Sequence, residues 1–361
     1  MRTSKSRQQE HENLVALLEF LAPGTPLRDA LENVLRAKTG ALILLTDRPD
    51  LGGLISGGIP IDIEMTPGIL YELAKMDGAI VLNAAGNRVR YANVQLVPDP
   101  SIPSSETGIR HRSAERTARQ TGDLVIAISQ RRDAITLYKG TLRYQLQDLA
   151  LVLAKANQAL QTLEKYSHGL TESLDNLSAL EFQDLVTLHD VATVLRRIEM
   201  TVRVGEEVRF YIAELGAEGD LLALQREELV ADAAAVGLLI VRDYLHPKAG
   251  IGAEEAYRQI RELSSENIQL LDFVRALRYP ITANVLETFV SPRGYRILSK
   301  VPRLPGSVVA NLVERFQTLQ RIMAASIEEL DEVEGVGEVR ARAIRDSLRR
   351  YQEHLLLNRR V

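Results

Sequence analysis

Residues 66–82 read TPGILYELAKMDGAIVL, and this stretch decides the fold of the first part of the chain. Thr66 followed by Pro67 predicts a helix start, because the threonine side chain caps free N–H groups and proline fits the first turn. The apolar residues that follow recur at helical spacing: Ile69, Leu70, Leu73 and Met76. Asp77-Gly78 ends this helix, and the apolar run 79–82 predicts a buried strand.

The same alternation continues on both sides of this stretch. Thr25-Pro26 starts another helix, and Ala41–Leu45 is a second continuous apolar run. Further strands are predicted at Val94–Val97, Leu124–Ser129 and Ile135–Tyr138, with a return strand from Leu142 to Leu146 after a turn at Lys139-Gly140. We therefore expect an α/β domain with a mixed sheet over residues 1–147.

Asp77-Gly78-Ala79 is the first candidate for chemistry. Glycine lets a ligand approach the backbone closely, and an aspartate there could bind a divalent cation and help to deprotonate a sugar hydroxyl. The alternative is an ordinary helix-terminating turn, which Asp-Gly often forms. The tripeptide alone favours the ordinary turn.

The second candidate is Arg110-His111-Arg112, which follows Gly108 in a loop that is expected to open a helix at Ser113. Arginine pairs with phosphate oxygens through two parallel hydrogen bonds, and a helix N-terminus adds free N–H groups. The alternatives are an exposed basic patch or ion pairs with Glu115. His111 could donate to a phosphate oxygen or serve as a structural hydrogen-bonding residue.

Together, Asp77-Gly78-Ala79 and Gly108-Ile109-Arg110-His111-Arg112-Ser113-Ala114 resemble the signatures of the diadenylate cyclase domain. The resemblance implies condensation of two ATP molecules into cyclic di-AMP with release of two pyrophosphates. It also implies that Asp77 binds Mg²⁺ or Mn²⁺ and activates the 3′-hydroxyl. The implied ATP-binding residues are Gly78, Leu96, Thr107, Ile109, Arg110, His111, Arg112 and Ser113.

The resemblance also implies that two protomers bring their ATP molecules face to face, so a monomer is expected to be inactive. The chain departs from the family pattern at two positions. Ile109 stands where a hydroxyl residue is common, which removes a side-chain phosphate contact. Gln130 stands where membrane-bound relatives carry a metal-binding glutamate, and an amide does not supply that charge.

Residues 148–290 are rich in Leu, Ala and Glu and predict an all-α spine. A near-heptad stripe begins at Leu149 and continues to Leu177, interrupted only at Gly169. A helical bundle without chemistry is the favoured interpretation of this region. The chain contains no cysteine and no apolar run of membrane-spanning length, so a cytoplasmic protein that does not contact membranes is expected.

Residues 291–361 carry 13 Lys or Arg against 9 Asp or Glu, whereas the whole chain has a net charge of −4. Residues 330–341 resemble a helix-hairpin-helix motif, in which a Gly-containing turn brings backbone N–H groups close to a DNA phosphate. The predicted DNA-binding residues are Gly335, Val336, Gly337, Arg340, Arg342 and Arg345. A degenerate copy lies at 298–307, where Arg303-Leu304-Pro305 replaces the turn; the alternative is a hairpin used only for packing.

The chain is thus expected to be a multidomain protein: an α/β mixed-sheet cyclase domain, an all-α helical spine and an all-α tandem helix-hairpin-helix domain. This order resembles the bacterial family of DNA integrity scanning diadenylate cyclases. The resemblance implies an octamer, binding of branched DNA such as recombination junctions, lowered cyclase output on binding, and a role in DNA-damage signalling. The competing hypothesis is a non-enzymatic protein that binds branched DNA and has a nucleotide-sensing head.

Overall fold

The computed structural model describes residues 4–263 and 268–358, so the ends of the predicted first and last domains, 1–3 and 359–361, lie outside it. The chain forms two compact units. The first comprises Met1–Asn157 and Arg209–Ala223, and the second comprises Gln158–Val208 and Leu224–Val361. The boundaries expected at residues 147 and 290 do not coincide with this division, and the three-domain division stays a prediction.

An eight-stranded mixed sheet forms the centre of the first unit. Its strands are β1 (Ala41–Leu45), β2 (Ile55–Ser56), β3 (Ile59–Glu64), β4 (Ala79–Leu82), β5 (Arg88–Leu96), β6 (Leu124–Ser129), β7 (Ala134–Lys139) and β8 (Leu142–Gln145). The order is β2-β5-β4-β1-β6-β7-β8, with β3 also paired to β5. The pair β1 and β4 is parallel and the other pairs are antiparallel, which confirms the mixed sheet.

Helices cover both faces of this sheet. They are α1 (Ser4–Phe20), α2 (Pro26–Arg36), α3 (Pro67–Leu73) and α4 (Ile109–Thr121). Successive side chains of β1 alternate between two cores, since Ile43 packs with residues of α1, α2 and α3 while Leu44 packs with Ala114 of α4. The helix starts expected at residues 25 and 66 are confirmed, because both threonine hydroxyls accept a backbone N–H of the first turn.

Several elements of the first unit were not predicted from the sequence. Helix α1 is polar along most of its length, and β3 is a largely exposed strand without an apolar run. Strand β5 starts at Arg88, whereas the sequence predicts a strand only from Val94. Its first residues alternate between polar and apolar side chains, so they do not form an apolar run. Such strands lack the continuous hydrophobic signal of β1 and β4.

Outside β1–β8, the regular secondary structure of the described residues is helical, apart from one isolated bridge between Thr187 and Phe289. The remaining ones are α5 (Leu149–Gln183), α6 (Leu188–Leu215), α7 (Asp220–Val230), α8 (Ala233–Tyr244), α9 (Ala253–Arg261), α10 (Leu270–Ala276), α11 (Tyr295–Ser299), α12 (Gly306–Phe316), α13 (Leu319–Ala324), α14 (Ile327–Asp331) and α15 (Glu338–Asn358), with 3-10 turns at Gly216–Gly219 and Val285–Glu287. Helix α5 runs unbroken through Gly169, but Leu149 and Leu153 of the expected stripe are exposed.

The two hairpins of the C-terminal region share one core. Leu298 and Val301 from the first hairpin pack in the same cluster as Leu330 and Val336 from the second. The all-α nature of residues 291–358 is therefore confirmed. No helix within 4–263 or 268–358 has the length and hydrophobicity needed to cross a membrane.

Candidate functional site

A cavity of about 600 Å³ opens in the first unit between β4, β5 and the N-terminus of α4. Residues predicted as site residues form part of its lining: Asp77, Gly78, Leu96, Ile109, Arg110 and Ser113. The cavity thus combines the two sequence candidates, which lie about thirty residues apart. The other predicted residues, Thr107, His111 and Arg112, do not line it.

Asp77 is held at the cavity by the turn between α3 and β4. Its carboxylate is exposed, and the next residue, Gly78, donates its backbone N–H to Asn93 Oδ1 at 3.0 Å. A Cβ at residue 78 would lie 2.5 Å from the Asn93 carbonyl carbon, so only glycine allows this approach. Asn93, which was not predicted as a site residue, therefore fixes the backbone next to Asp77.

Asn93 occupies an irregular position in β5. Its φ is +55°, and the register between β4 and β5 shifts between Ala79 and Val81. Asparagine tolerates this left-handed conformation better than most residues, which explains its place in the middle of a strand. The available signal was an asparagine directly before the predicted strand Val94–Val97, and in the structure this residue lies at an irregularity of β5.

Arg110 reaches the cavity across Gly40, the residue before β1. A Cβ at residue 40 would overlap the Arg110 guanidinium and would lie 3.1 Å from the Ile128 carbonyl oxygen. The Arg110 side chain therefore occupies the space that a side chain at residue 40 would fill. In the sequence Gly40 marks only the break between the segments that form α2 and β1.

We expect Gly40→Ala to displace the Arg110 side chain while the charge is retained. Because the overlapping atoms belong to the end of a flexible side chain, the free energy of unfolding should change little. The apparent affinity for a phosphate-containing ligand should fall about tenfold, since a guanidinium–phosphate hydrogen bond contributes roughly 1.5–3 kcal/mol. Thermal unfolding and ligand titration test this, and unchanged affinity would show that Arg110 does not depend on the space above Gly40.

Helix α4 begins at Ile109, with Gly108 as the N-cap, and not at Ser113 as expected. Arg110, His111 and Arg112 consequently lie within the first helical turn. Consecutive helical residues point in different directions, so the three side chains do not share one face of α4. Arg112 turns back to the carbonyl oxygens of Glu106 and Thr107, at 3.4 and 3.2 Å, and His111 is buried.

The loop that precedes α4 is held by side chains of the helix itself. Glu115 accepts hydrogen bonds from the Ser104 hydroxyl at 2.5 Å and from the Ser105 backbone N–H at 3.0 Å. Arg119 pairs with Glu115 at 2.6 Å, so the carboxylate is compensated. The alternative in which Arg110 or Arg112 pairs with Glu115 is therefore wrong, because this carboxylate binds the loop and Arg119 instead.

Asp77 is the one acidic residue among the described residues that line the cavity. No group of three or more potential metal ligands occurs in the described part of the chain. This fits Mg²⁺ or Mn²⁺ only as an ion shared with a substrate, because Mg²⁺ is commonly held by one or two carboxylates together with substrate phosphates. Gln130 does not line the cavity.

The second hairpin has the local geometry expected for phosphate contact. Gly335 has a φ of +84°, and Val336 is buried, so only its backbone is available to a ligand. Arg340 donates to the Gly335 carbonyl oxygen, and Arg342 pairs with Glu338 at 2.5 Å. Arg345 is exposed one turn further along α15.

The first hairpin lacks this glycine geometry. Arg303 has a φ of +60°, a strained value for a residue with a side chain, and Pro305 is the N-cap of α12. Proline has no backbone N–H to offer a phosphate. The two hairpins therefore pack together, but only the second has a glycine turn that can offer backbone N–H groups to a phosphate.

Comparison with known protein families gives three matches along the chain. The family described as the DisA bacterial checkpoint controller nucleotide-binding domain matches residues 28–142. The linker region of the same checkpoint controller matches residues 146–286, and the helix-hairpin-helix motif matches residues 318–347. The first hairpin lies outside the last match.

Curated relatives are similar over nearly the full length. A DNA integrity scanning protein DisA from Symbiobacterium thermophilum is 54% identical over 96% of this chain and 97% of its own. Its counterpart from Carboxydothermus hydrogenoformans is also 54% identical, over 95% of this chain and 97% of its own. The protein of the same name from Clostridium kluyveri is 50% identical over 98% and 99%.

Proposed function

The chain belongs to the DisA family of DNA integrity scanning proteins, and from this premise we propose that it is a diadenylate cyclase that condenses two ATP molecules into cyclic di-AMP. The observation that carries the proposal is the meeting of Asp77 and Arg110 in one cavity of a nucleotide-binding domain. An acidic group beside a phosphate-binding arginine is the pair that nucleotidyl transfer requires.

In this proposal Arg110 and the first-turn N–H groups of α4 hold the triphosphate, while Gly78 and Leu96 contact the nucleotide. Asp77 orients and deprotonates a 3′-hydroxyl. A divalent cation held by Asp77 and the phosphates would supply neutralisation of developing charge. The 3′-oxygen forms a bond to the α-phosphorus of the opposing ATP, pyrophosphate leaves, and the same step repeated closes the ring.

Two cavities must face each other for this reaction, since each 3′-hydroxyl attacks the other nucleotide. Exposed apolar side chains of the first unit support such pairing: Ile59, Met76, Val97 and Ile109 are 52%, 39%, 46% and 84% exposed. Met76 and Ile109 belong to the segments that carry Asp77 and Arg110. Contiguous exposed apolar patches mark protein contacts, and we propose that these side chains form such a patch in an octamer containing such pairs.

Incubation with ATP and Mg²⁺ or Mn²⁺ tests the activity, with cyclic di-AMP and pyrophosphate expected in a ratio of one to two. ATP binding without either product would instead support the second hypothesis, a nucleotide-sensing head on a DNA-binding protein. Absence of both binding and product would contradict both hypotheses.

We also propose that the helix-hairpin-helix region binds branched DNA in the cytoplasm and thereby lowers cyclase output as part of a DNA-damage checkpoint. The Gly335-Val336-Gly337 turn and the net positive charge of residues 291–361 support DNA binding. Initial rates with and without a four-way junction, at saturating and subsaturating ATP, test the coupling. Equal rates under both conditions would contradict it.

Arg345→Ala is expected to weaken junction binding severalfold. Because one phosphate contact is lost, the slope of log K against the logarithm of the salt concentration should become shallower by about 1. Arg349→Ala is the matched control, because Arg349 is exposed on the same helix but pairs with Glu353 at 3.0 Å. Equal losses in both variants would indicate that only total charge matters.

A further inference from the structure

A buried chain of polar side chains lies behind the first turn of α4. Tyr138 on β7 has its hydroxyl 2.8 Å from Glu106 Oε1 and 3.0 Å from His111 Nδ1. Glu106 and His111 are each 8% exposed and Tyr138 is 1% exposed. These residues do not line the cavity, and none of the proposed catalytic steps uses Glu106 or Tyr138.

The direction of each hydrogen bond follows from Glu106. Burial raises the pKa of this carboxyl, but hydrogen bonds from Arg143 and Tyr138 outweigh burial and keep the pKa below its usual value. The ionised carboxylate can only accept, so Tyr138 donates its single proton to Glu106. The tyrosine oxygen is then left as an acceptor, and His111 must donate to it from Nδ1.

This arrangement leaves His111 Nε2 unprotonated, so that it carries a free lone pair. Nε2 is buried and has no hydrogen-bond partner among the described residues. The ring edge that carries it faces Gly108, since Cδ2 lies 3.9 Å from the position of a Cβ on that glycine. Gly108 is the N-cap of α4 and offers no side-chain cap, so first-turn N–H groups remain open beside the ring.

The charges around His111 keep the ring neutral in the free protein. Burial is the main cause that lowers its pKa, Glu106 raises it, and three arginines lower it further: Arg132 from the turn after β6, Arg143 from β8 and Arg110 from α4. A neutral ring with a bare Nε2 would repel a phosphate oxygen.

We propose that Tyr138 and Glu106 are positioning residues that hold His111 in its Nδ1–H form, so that a triphosphate binds at α4 with uptake of a proton on His111 Nε2. The proposal rests on the ATP site of the proposed function. In this step a proton from solvent bonds to the Nε2 lone pair, and the resulting imidazolium donates from Nε2 to a phosphate oxygen. The bond from Nδ1 to Tyr138 is retained throughout.

The sign of the pH dependence follows directly. The free protein holds His111 with a pKa below its ordinary value of 6.5, and a bound phosphate raises that pKa. The bound state therefore carries more protons, and ATP binding strengthens as the pH falls from the bound-state pKa toward the lower free-state pKa. With Tyr138→Phe, Nδ1 loses its acceptor and the ring can adopt the Nε2–H form, which donates to phosphate without taking up a proton.

Calorimetric titration with 3′-deoxy-ATP and Mg²⁺, in two buffers of different ionisation enthalpy, measures this proton uptake. The ligand lacks the attacking hydroxyl, so no cyclic product contributes heat. Tyr144→Phe is the matched control: it removes another tyrosine hydroxyl of the same unit, one that is half-buried and donates to Glu214 at 2.7 Å. Protons that the nucleotide itself takes up or releases on binding contribute equally for wild type and both variants, so they cancel in the comparison.

We expect wild type and Tyr144→Phe to take up the same fraction of a proton and Tyr138→Phe to take up clearly less. Equal uptake in all three would overturn the proposal. Solid-state ¹⁵N spectra of histidine-labelled wild type give a readout that requires no variant to fold: Nε2 of His111 should be unprotonated when free and protonated with ligand, and a protonated free Nε2 would also overturn it. Binding of 3′-deoxy-ATP without cyclic di-AMP from ATP would contradict only the proposed function, and no binding would contradict both.

Discussion

Asp77→Asn is expected to form cyclic di-AMP at least about 100-fold more slowly than wild type, the usual range for loss of a positioned acid–base group. The amide is nearly isosteric but supplies neither a negative charge for a cation nor a proton acceptor for the 3′-hydroxyl. Asp77 is exposed and lies in a turn, so the fold should be unaffected. Product formation from ATP, measured at several Mg²⁺ and Mn²⁺ concentrations, gives the result.

Asp133→Asn is the appropriate control for this substitution. Asp133 is also an exposed aspartate of the first unit, but it pairs with Lys38 at 2.6 Å and does not line the cavity. Its activity should remain within about twofold of wild type. Equal product from Asp77→Asn and wild type would remove Asp77 from the mechanism.

Ile109→Asp is expected to lower product formation at least about tenfold. At 84% exposure this side chain makes little contact within its own chain, so the substitution should not disturb folding. If two heads pair across their cavities, the aspartate is buried without a partner, which costs several kcal/mol. Product formation at increasing protein concentration measures the effect, and partial recovery at high concentration is expected by mass action.

Ile109→Thr separates pairing from phosphate binding. Threonine is uncharged and close in size, and it supplies the hydroxyl that related cyclases commonly carry at this position. It should retain activity, because the contact between heads remains neutral. If Ile109→Asp were as active as Ile109→Thr, the exposed apolar rim would have no part in catalysis.

The strands and helices with a strong local signal could be predicted from the sequence. Strands β1 and β4 are buried on both faces and therefore read as continuous apolar runs. The caps at Thr25 and Thr66 use only neighbouring residues, so short-range patterns suffice. Strand β3 could not be predicted, because its pairing with β5 is a long-range contact of exposed residues.

The two motifs of the site could be predicted from the sequence, but the directions of their side chains could not. The motif Arg110-His111-Arg112 suggests three ligands, whereas the helix that starts at Ile109 sends one side chain to the cavity, one inward and one back to the loop. Gly40 and Asn93 contribute through backbone space and a bulge, which depend on strand pairing. These features appear only when the sheet is assembled.

The two hairpins show the same distinction at the other end of the chain. The Gly335-Val336-Gly337 turn carries its own conformational signal, and its geometry follows from the residues. Arg303 at a positive φ has no such signal, because the shared core with the second hairpin imposes that conformation.

A mixed-isotope reaction shows whether two ATP molecules are joined in one product. Equal amounts of ordinary and uniformly ¹³C-labelled ATP are incubated with the full-length protein and Mg²⁺, and the cyclic dinucleotide is weighed by mass spectrometry. Joining of two ATP molecules gives unlabelled, half-labelled and fully labelled cyclic di-AMP, with the half-labelled form the most abundant. ATP that binds but yields no cyclic dinucleotide, or yields only a cyclic mononucleotide, would contradict it.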